Sequence, residues 1–342
     1  MSVNCFTSAS FGNLDRARVL ANTIRRFHPD WVLWLCLADA EPQGFAFDPA
    51  CEPFDCVVRL EDLGIEDVRA WIFGHDLVEL CTAVKGPMLA RLLTYGASVV
   101  CLDPDIALFA ALDDVIHLLE THSVVLTPHV VSPERTPGGV LDNEIGSLKH
   151  GVYSRGFLAV RPCAEGQRFA AWWRDRLLEF HFDDVASGLF IDQRWCDLAP
   201  ALFEGVAVLR DKGYNVASWN LGDRPIGFDR GGTITAGGRP LRFFHFSGVD
   251  SAGERRLDIN SGGRHEAFEL LRWYRQALAT NRASGVPDGW WAYGRYACGT
   301  LIRREERVAW RAKPEVWGAI GDPFQAGPLR LRDAVGLLPD PH

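Results

Sequence analysis

The chain has 342 residues, 47% of them hydrophobic and 23% charged, enough to build an ample core and to exclude large-scale disorder. Against 36 Lys and Arg stand 44 Asp and Glu, and the formal charge of -8 argues against a nucleic-acid backbone as the main partner. No apolar run approaches the roughly 20 residues of a spanning helix, and Met1 to Thr7 lacks the pattern of a signal peptide, so a cytoplasmic location is expected.

The first hundred residues alternate short apolar runs with helical periodicity, the mark of an α/β sheet built through crossover connections. Val3 to Phe6 reads as a strand. Ala17, Leu20, Ala21, Ile24 and Phe27 follow at helical spacing until Pro29 stops the helix. Trp31 to Leu37 and Cys56 to Leu60 are two more strands. Helical segments around Asp76 to Val84 and Pro87 to Tyr95 lead into a fourth, Val99 to Leu102. Further on, Val124 to Leu126 and Phe157 to Val160 read as buried strands flanking an irregular polar stretch, residues 132 to 147, long enough to suggest a functional loop. Phe169 to Phe180 is a helix, the chain turns β-rich from Val206, Leu241 to Phe246 is a strand, and Ala267, Leu271, Tyr274 and Leu278 mark a last strong helix.

After about residue 276 the character changes: nine Lys or Arg stand against seven Asp or Glu, among Trp290, Trp291, Tyr293, Tyr296, Trp310 and Trp317. Such a tail suits a peripheral contact with an anionic membrane or a polymeric acceptor. The interspersed acids favour a small helical appendage packed on the main domain instead. The division expected is a catalytic domain over 1–275 and an extension over 276–342.

Nine cysteines without a CxxC signal neither a zinc site nor a redox pair, and Cys36 and Cys101 sit in apolar runs as small core residues. Cys51 and Cys56 would bridge only in an oxidising compartment. Neither a P-loop nor a glycine-rich dinucleotide fingerprint is present. The feature that carries chemistry is Val99-Val100-Cys101-Leu102-Asp103-Pro104-Asp105-Ile106, where two carboxylates at a strand end can share a hard divalent cation that neutralises a diphosphate. An apolar strand ending in D-x-D also opens the aspartyl-phosphate phosphatases, but on the first strand of the domain, whereas here three strands precede it.

The chain resembles the GT-A nucleotide-sugar glycosyltransferases, most nearly the retaining enzymes of glycosyltransferase family 8 and related bacterial sequences. The matching blocks, in order, are Ala17 to Ala21, Thr82 to Lys85, Leu102 to Ile106, Leu126 to His129, Gly188 to Trp195, Tyr214 to Leu221 and Phe243 to Gly248. The resemblance implies a Rossmann-like, mostly parallel sheet with helices on both faces. It implies Mn²⁺ or Mg²⁺ held by Asp103, Asp105 and His245, the imidazole suiting Mn²⁺ somewhat better. It further implies donor contacts from Thr7, Ser8 and Ala9 at the end of the first strand, from Lys85, from Ser154 where the family commonly has Asn, and from Gly248. The family often has Lys three residues after that glycine. Here the position is Ser251, and Arg255 or Arg256 could take over its phosphate contact. Asp192 and Gln193 fall where an Asp binds the donor sugar and a Gln lies near the anomeric carbon, although Asp192 could equally cap the helix that follows.

The function implied is transfer of a sugar from a nucleoside diphosphate sugar, UDP-linked, to a glycan, lipid-linked or protein acceptor with retention. Within enzymes the alternative is a nucleotide-sugar hydrolase or metal-dependent phosphatase, and outside them an inactive nucleotide- or glycan-binding homologue.

Overall fold

The computed structural model describes residues 2–248 and 252–337. Its first half holds β1 (Val3–Ala9), α1 (Leu14–Phe27), β2 (Val32–Leu37), β3 (Cys56–Arg59), α2 (Val68–Phe73), α3 (Leu77–Ala83), α4 (Lys85–Leu93), β4 (Ser98–Leu102), β5 (Ile106–Leu108), α5 (Asp113–Thr121) and β6 (Val124–Pro128). Of residues 132–147, expected to be irregular, only 132–136 are; from Pro137 the chain forms helical turns: α6 (Pro137–Gly139), a π turn over Val140–Glu144, and α7 (Ile145–His150). Three local devices order them. Thr136 Oγ1 accepts the Gly139 N–H at 3.0 Å, Pro137 starts the turn, and the Glu144 carboxylate accepts the Glu134 N–H at 2.7 Å.

Then come β7 (Tyr153–Val160), α8 (Ala164–Glu179), β8 (Asp183–Asp184), β9 (Leu189–Phe190), α9 (Ala199–Leu202), β10 (Val206–Val208) and β11 (Val216–Ala217). A small antiparallel sheet of β12 (Ile226–Phe228), β13 (Ile234–Ala236) and β14 (Arg239–Pro240) precedes β15 (Phe243–His245), α10 (Ala252–Asn260) and α11 (His265–Asn281).

Seven strands form the central sheet in the order β10-β6-β7-β4-β1-β2-β3. Neighbours run parallel except β7, which is antiparallel to both β4 and β6. Both faces are covered, which is why these strands read as near-continuous apolar runs. Side chains alternate between the faces. Val99, Cys101, Leu158 and Val160 join Leu80, Leu89 and Trp173 of α3, α4 and α8. Val100, Leu102, Phe157 and Ala159 join Leu20, Ile24, Val115 and Leu119 of α1 and α5. The α/β architecture expected from the sequence is thus present, with helices on both faces.

The tail adds α12 (Arg304–Arg311), α13 (Trp317–Ile320) and α14 (Pro323–Val335) to the first of these layers, where Tyr293, Tyr296, Trp310, Phe324 and Leu331 pack. Trp310 Nε1 donates to the Ala70 carbonyl at 2.8 Å, and Trp317 stacks on Trp310. The buried Arg307 guanidinium donates to the carbonyls of Phe73, His75 and Tyr293. Tyr293, Tyr296, Trp310 and Phe324 are buried, and Trp317 is half-buried. Among the described residues no helix is long and apolar enough to cross a membrane. All nine cysteines are free thiols, so Cys51 and Cys56 are not bridged.

Candidate active site and metal centre

β4 ends at Leu102, and the chain turns through Asp103-Pro104-Asp105, closed by the Ile106 N–H on the Asp103 carbonyl at 3.1 Å. The turn opens at the carboxyl end of the parallel strands, where open α/β sheets hold ligands. The next residues form β5, which leaves the main sheet and pairs antiparallel with β15, setting Ile106 opposite His245. That register delivers His245 to the turn from far along the sequence. Its Nε2 lies 3.1 Å from Asp105 Oδ1 and 3.9 Å from Asp103 Oδ2. One ligand atom from each of the three residues lies within 4.8 Å of the others.

Two neighbours that the sequence did not single out make room for the imidazole. Trp219 packs edge-on against it at 5.5 Å. Gly156 lies directly beneath, where an added Cβ would come within 2.6 Å of the ring. Gly156 belongs to an irregularity of β7: Leu126 pairs with Leu158, yet the next residue, Thr127, pairs with Ser154. A bulge of this kind re-aims side chains at a strand end.

Lys85, at the start of α4, is not a solvated helix-end lysine but fully buried. Its Nζ lies 2.6 Å from Asp103 Oδ1 and 3.0 Å from Asp192 Oδ2. Asp192 is buried too and makes no cap to the following helical turn, because its carboxylate is drawn to Lys85. Ile191 before it has a left-handed φ of 40°, strained for a β-branched residue. Gln193 is held at both ends of its amide: Oε1 accepts the Arg155 N–H at 3.2 Å, and Nε2 donates to the His150 carbonyl at 2.9 Å. The arrangement brings Asp103, Asp105, His245, Lys85 and Asp192 together, with Gln193 joined to it through the Arg155 N–H.

Thr7, Ser8 and Ala9 are the last three residues of β1, all buried. The Ser8 hydroxyl donates to the Cys81 carbonyl and the Ala9 carbonyl accepts the Ala38 N–H, so both serve the fold. The buried Thr7 hydroxyl has no hydrogen-bond partner among the described residues. Ser154 is buried opposite Thr127. Gly248 has a φ of 66°, a conformation suited to glycine, and its carbonyl accepts the Gly253 N–H. Ser251 lies outside the described residues, and Arg255 and Arg256 are exposed on α10. Asp39, at the carboxyl end of β2, accepts N–H bonds from Phe11, Ala40 and Ala292, tying the tail to this rim.

Charge in the cluster is shared unevenly. Burial pushes the Asp103 carboxyl up against the pull of Lys85, and Asp105 pushes the same way. Burial works upward on Asp105 as well, but His245 beside it holds that carboxyl below its usual range. His245 is raised in return, Asp105 and Asp103 outweighing its burial. Two carboxylates and an imidazole fit a small divalent cation such as Mn²⁺, with Mg²⁺ less well served by the nitrogen. The space left by Gly156, and the lack of a hydrogen-bond partner for the buried His245 Nδ1 among the described residues, agree with a ring placed to offer Nε2 to the carboxylate side.

The chain matches no protein-family model. It is similar to two uncharacterized proteins of Bacillus subtilis (strain 168). YfnF is 33% identical over 98 residues, 29% of this chain and 32% of that one, and YfnD is 29% identical over 111 residues, 32% and 35% of the two chains. The matches thus span about a third of the curated relatives' length. Among solved structures it is similar to the galactosyltransferase LgtC in complex with donor and acceptor sugar analogues, at 15% identity over 84% of this chain and 98% of that one, with a TM-score of 0.44. The glycosyltransferase GlyE of Streptococcus pneumoniae TIGR4 shares 13% identity over 81% and 64% of the two chains, with a TM-score of 0.41.

Proposed function

We propose that this protein is a metal-dependent glycosyltransferase of the GT-A type, related to family 8, that moves a sugar from a UDP-linked donor to a glycan, lipid-linked or protein acceptor with retention at the anomeric carbon. The observation that carries the reading is the convergence of Asp103 and Asp105, from the turn between β4 and β5, with His245 of β15 onto one point, beside a buried Lys85–Asp192 ion pair. Asp103, Asp105 and His245 would hold the cation, which when bound supplies Lewis-acid charge at the leaving diphosphate. Lys85 brings a second positive charge to the same cluster. Asp192 is sealed from solvent with Oδ2 on Lys85, a placement suited to orienting a sugar rather than to drawing a proton from an incoming hydroxyl. The gain would come mainly from holding donor and acceptor in attack geometry.

Isothermal calorimetry with Mn²⁺ and UDP tests the donor site. Binding is expected for the wild type, and its loss in Asp105→Ala and in EDTA. Unchanged affinity in EDTA refutes the metal site. NMR of the first-formed product tests the rest: an inverted anomer removes the retaining assignment, and release of free sugar in the presence of hydroxyl acceptors makes the protein a hydrolase.

A further inference from the structure

Arg155 is a buried cation that the proposed transfer has not yet used. It occupies the irregular stretch of β7, and its guanidinium lies 4.6 Å over the Trp173 ring on the α8 side of the sheet. Among the described residues only Nη1 is engaged by hydrogen bond, donating to the Phe157 carbonyl at 3.0 Å, while Nε and Nη2 have no such partner there. Idle guanidinium donors in a sealed interior are costly, so an anion belongs beside them. Asp192 Oδ2 is 3.9 Å from Nε, a short side-chain movement from a direct bond.

The backbone of the same residue reaches Gln193 and Lys85. Its N–H holds Gln193 Oε1 at 3.2 Å, and its carbonyl lies 3.5 Å from Lys85 Nζ. Trp173, under the guanidinium, donates to the Asp192 carbonyl at 3.3 Å. Arg155 therefore contacts the segment 192–193 through side chain and backbone alike. Lys85, by contrast, is shared: the ammonium that meets Asp192 also covers Asp103 Oδ1 at 2.6 Å. A cation arriving at Asp103 competes with that ammonium for the carboxylate, and a diphosphate beside it competes with the carboxylates for the ammonium.

We infer that Arg155 is the positioning residue for Asp192 and Gln193: when Lys85 turns from Asp103 and Asp192 toward a bound diphosphate, the Asp192 carboxylate closes onto the idle Nε of Arg155 and the sugar-facing pair stays in register. This rests on the reading of the site as a nucleotide-sugar site.

The test uses the full chain as Arg155→Met, Arg155→Lys and Arg155→Gln. Turnover of a UDP-sugar, calorimetric UDP affinity with Mn²⁺, and amide hydrogen exchange over 189–196 are measured in the Mn²⁺-UDP state. The expected result for Arg155→Met is a kcat lower by about 10²-fold, the size of a misplaced reacting group, with UDP affinity and global stability near wild type and faster exchange confined to 189–196. Arg155→Lys should recover most of the kcat, since it restores a cation within reach of Asp192. Wild-type kcat and exchange in Arg155→Met overturn the inference, as does a joint fall of kcat and UDP affinity with loss of protection throughout the chain. Should Arg155→Met fail to fold, Arg155→Lys outperforming Arg155→Gln supports the inference, and equality of the two overturns it. If the wild type itself neither binds UDP nor turns over donor, the nucleotide-sugar reading fails. Exchange over 189–196 with Mn²⁺ alone then still decides whether Arg155 holds that segment.

Discussion

The imidazole of His245 occupies the space that a side chain at position 156 would fill: a Cβ on Gly156 would stand 2.6 Å from its Cε1 and 2.7 Å from its Nδ1. Both are shorter than real Cβ contacts, so Gly156→Ala must displace the ring from the two carboxylates. The expected outcome is Mn²⁺ affinity lowered by about tenfold or more, the scale seen when the support of a metal ligand is disturbed. Calorimetric titration of the variant with Mn²⁺ checks it, with circular dichroism to establish that the sheet is intact. Wild-type affinity would show that the ring has room to yield.

Legibility in the sequence followed locality. The parallel strands were readable because burial on both faces leaves uninterrupted apolar runs, and the aspartates because they end such a run. His245 came from resemblance, since a histidine between Phe244 and Phe246 has no local signal for what β5 will place opposite it. Gly156 and Arg155 were missed for a sharper reason. Strict alternation along β7 would put Arg155 on the face of Phe157 and Ala159, and the register shift between Leu126 and Thr127 sends it to Trp173 instead. The helical turns over 137–150 were hidden by their Pro and Gly residues, which look like loop punctuation yet here begin a capped turn.

The tail is expected to be part of the fold. Trp310 is fully buried against α2, and Arg311 pairs with the buried Glu79 at 3.2 Å. Ending the chain near residue 280 removes both and uncovers Phe73, so the truncated protein should aggregate or unfold, and Trp310→Ala alone should cost about 3–5 kcal/mol in urea denaturation. A truncated chain that stays folded, binds UDP and loses only transfer would return the tail to an acceptor-binding role.

Acid should weaken this same junction through His75. The ring is buried, with Nδ1 2.8 Å from the Trp71 carbonyl, and it faces Glu79, Arg307, Arg311 and His181. Burial lowers its pKa to about 4. The unfolded chain, with an ordinary histidine, binds the proton more readily, so stability is fully present above about pH 6.5 and is lost as pH falls toward 4. Between pH 7 and 5 this one group should account for about 2 kcal/mol, because each pKa unit corresponds to about 1.4 kcal/mol. Urea unfolding at both pH values should show a correspondingly smaller difference for His75→Phe, and an unchanged difference would mean that the ring is charged in the folded state.

Lys85 offers the last and most direct test of how the protein balances charge around its metal site. Its ammonium sits between Asp103 and Asp192, and the two carboxylates raise its pKa further than burial lowers it. In Lys85→Met the side-chain volume is nearly kept while both carboxylates lose their cation. Breaking a buried pair from one side typically costs about 3–5 kcal/mol, so the metal-free variant should be markedly less stable than the wild type. Mn²⁺ should return more stability to Lys85→Met than it adds to the wild type, because it neutralises Asp103 with no ammonium to displace and binds only the folded form. Thermal unfolding of both proteins over a Mn²⁺ titration measures the two increments. Equal increments, or a variant indifferent to Mn²⁺, would mean that Lys85 and the cation do not share Asp103, and the coupling drawn between metal, Lys85 and Asp192 would have to be abandoned.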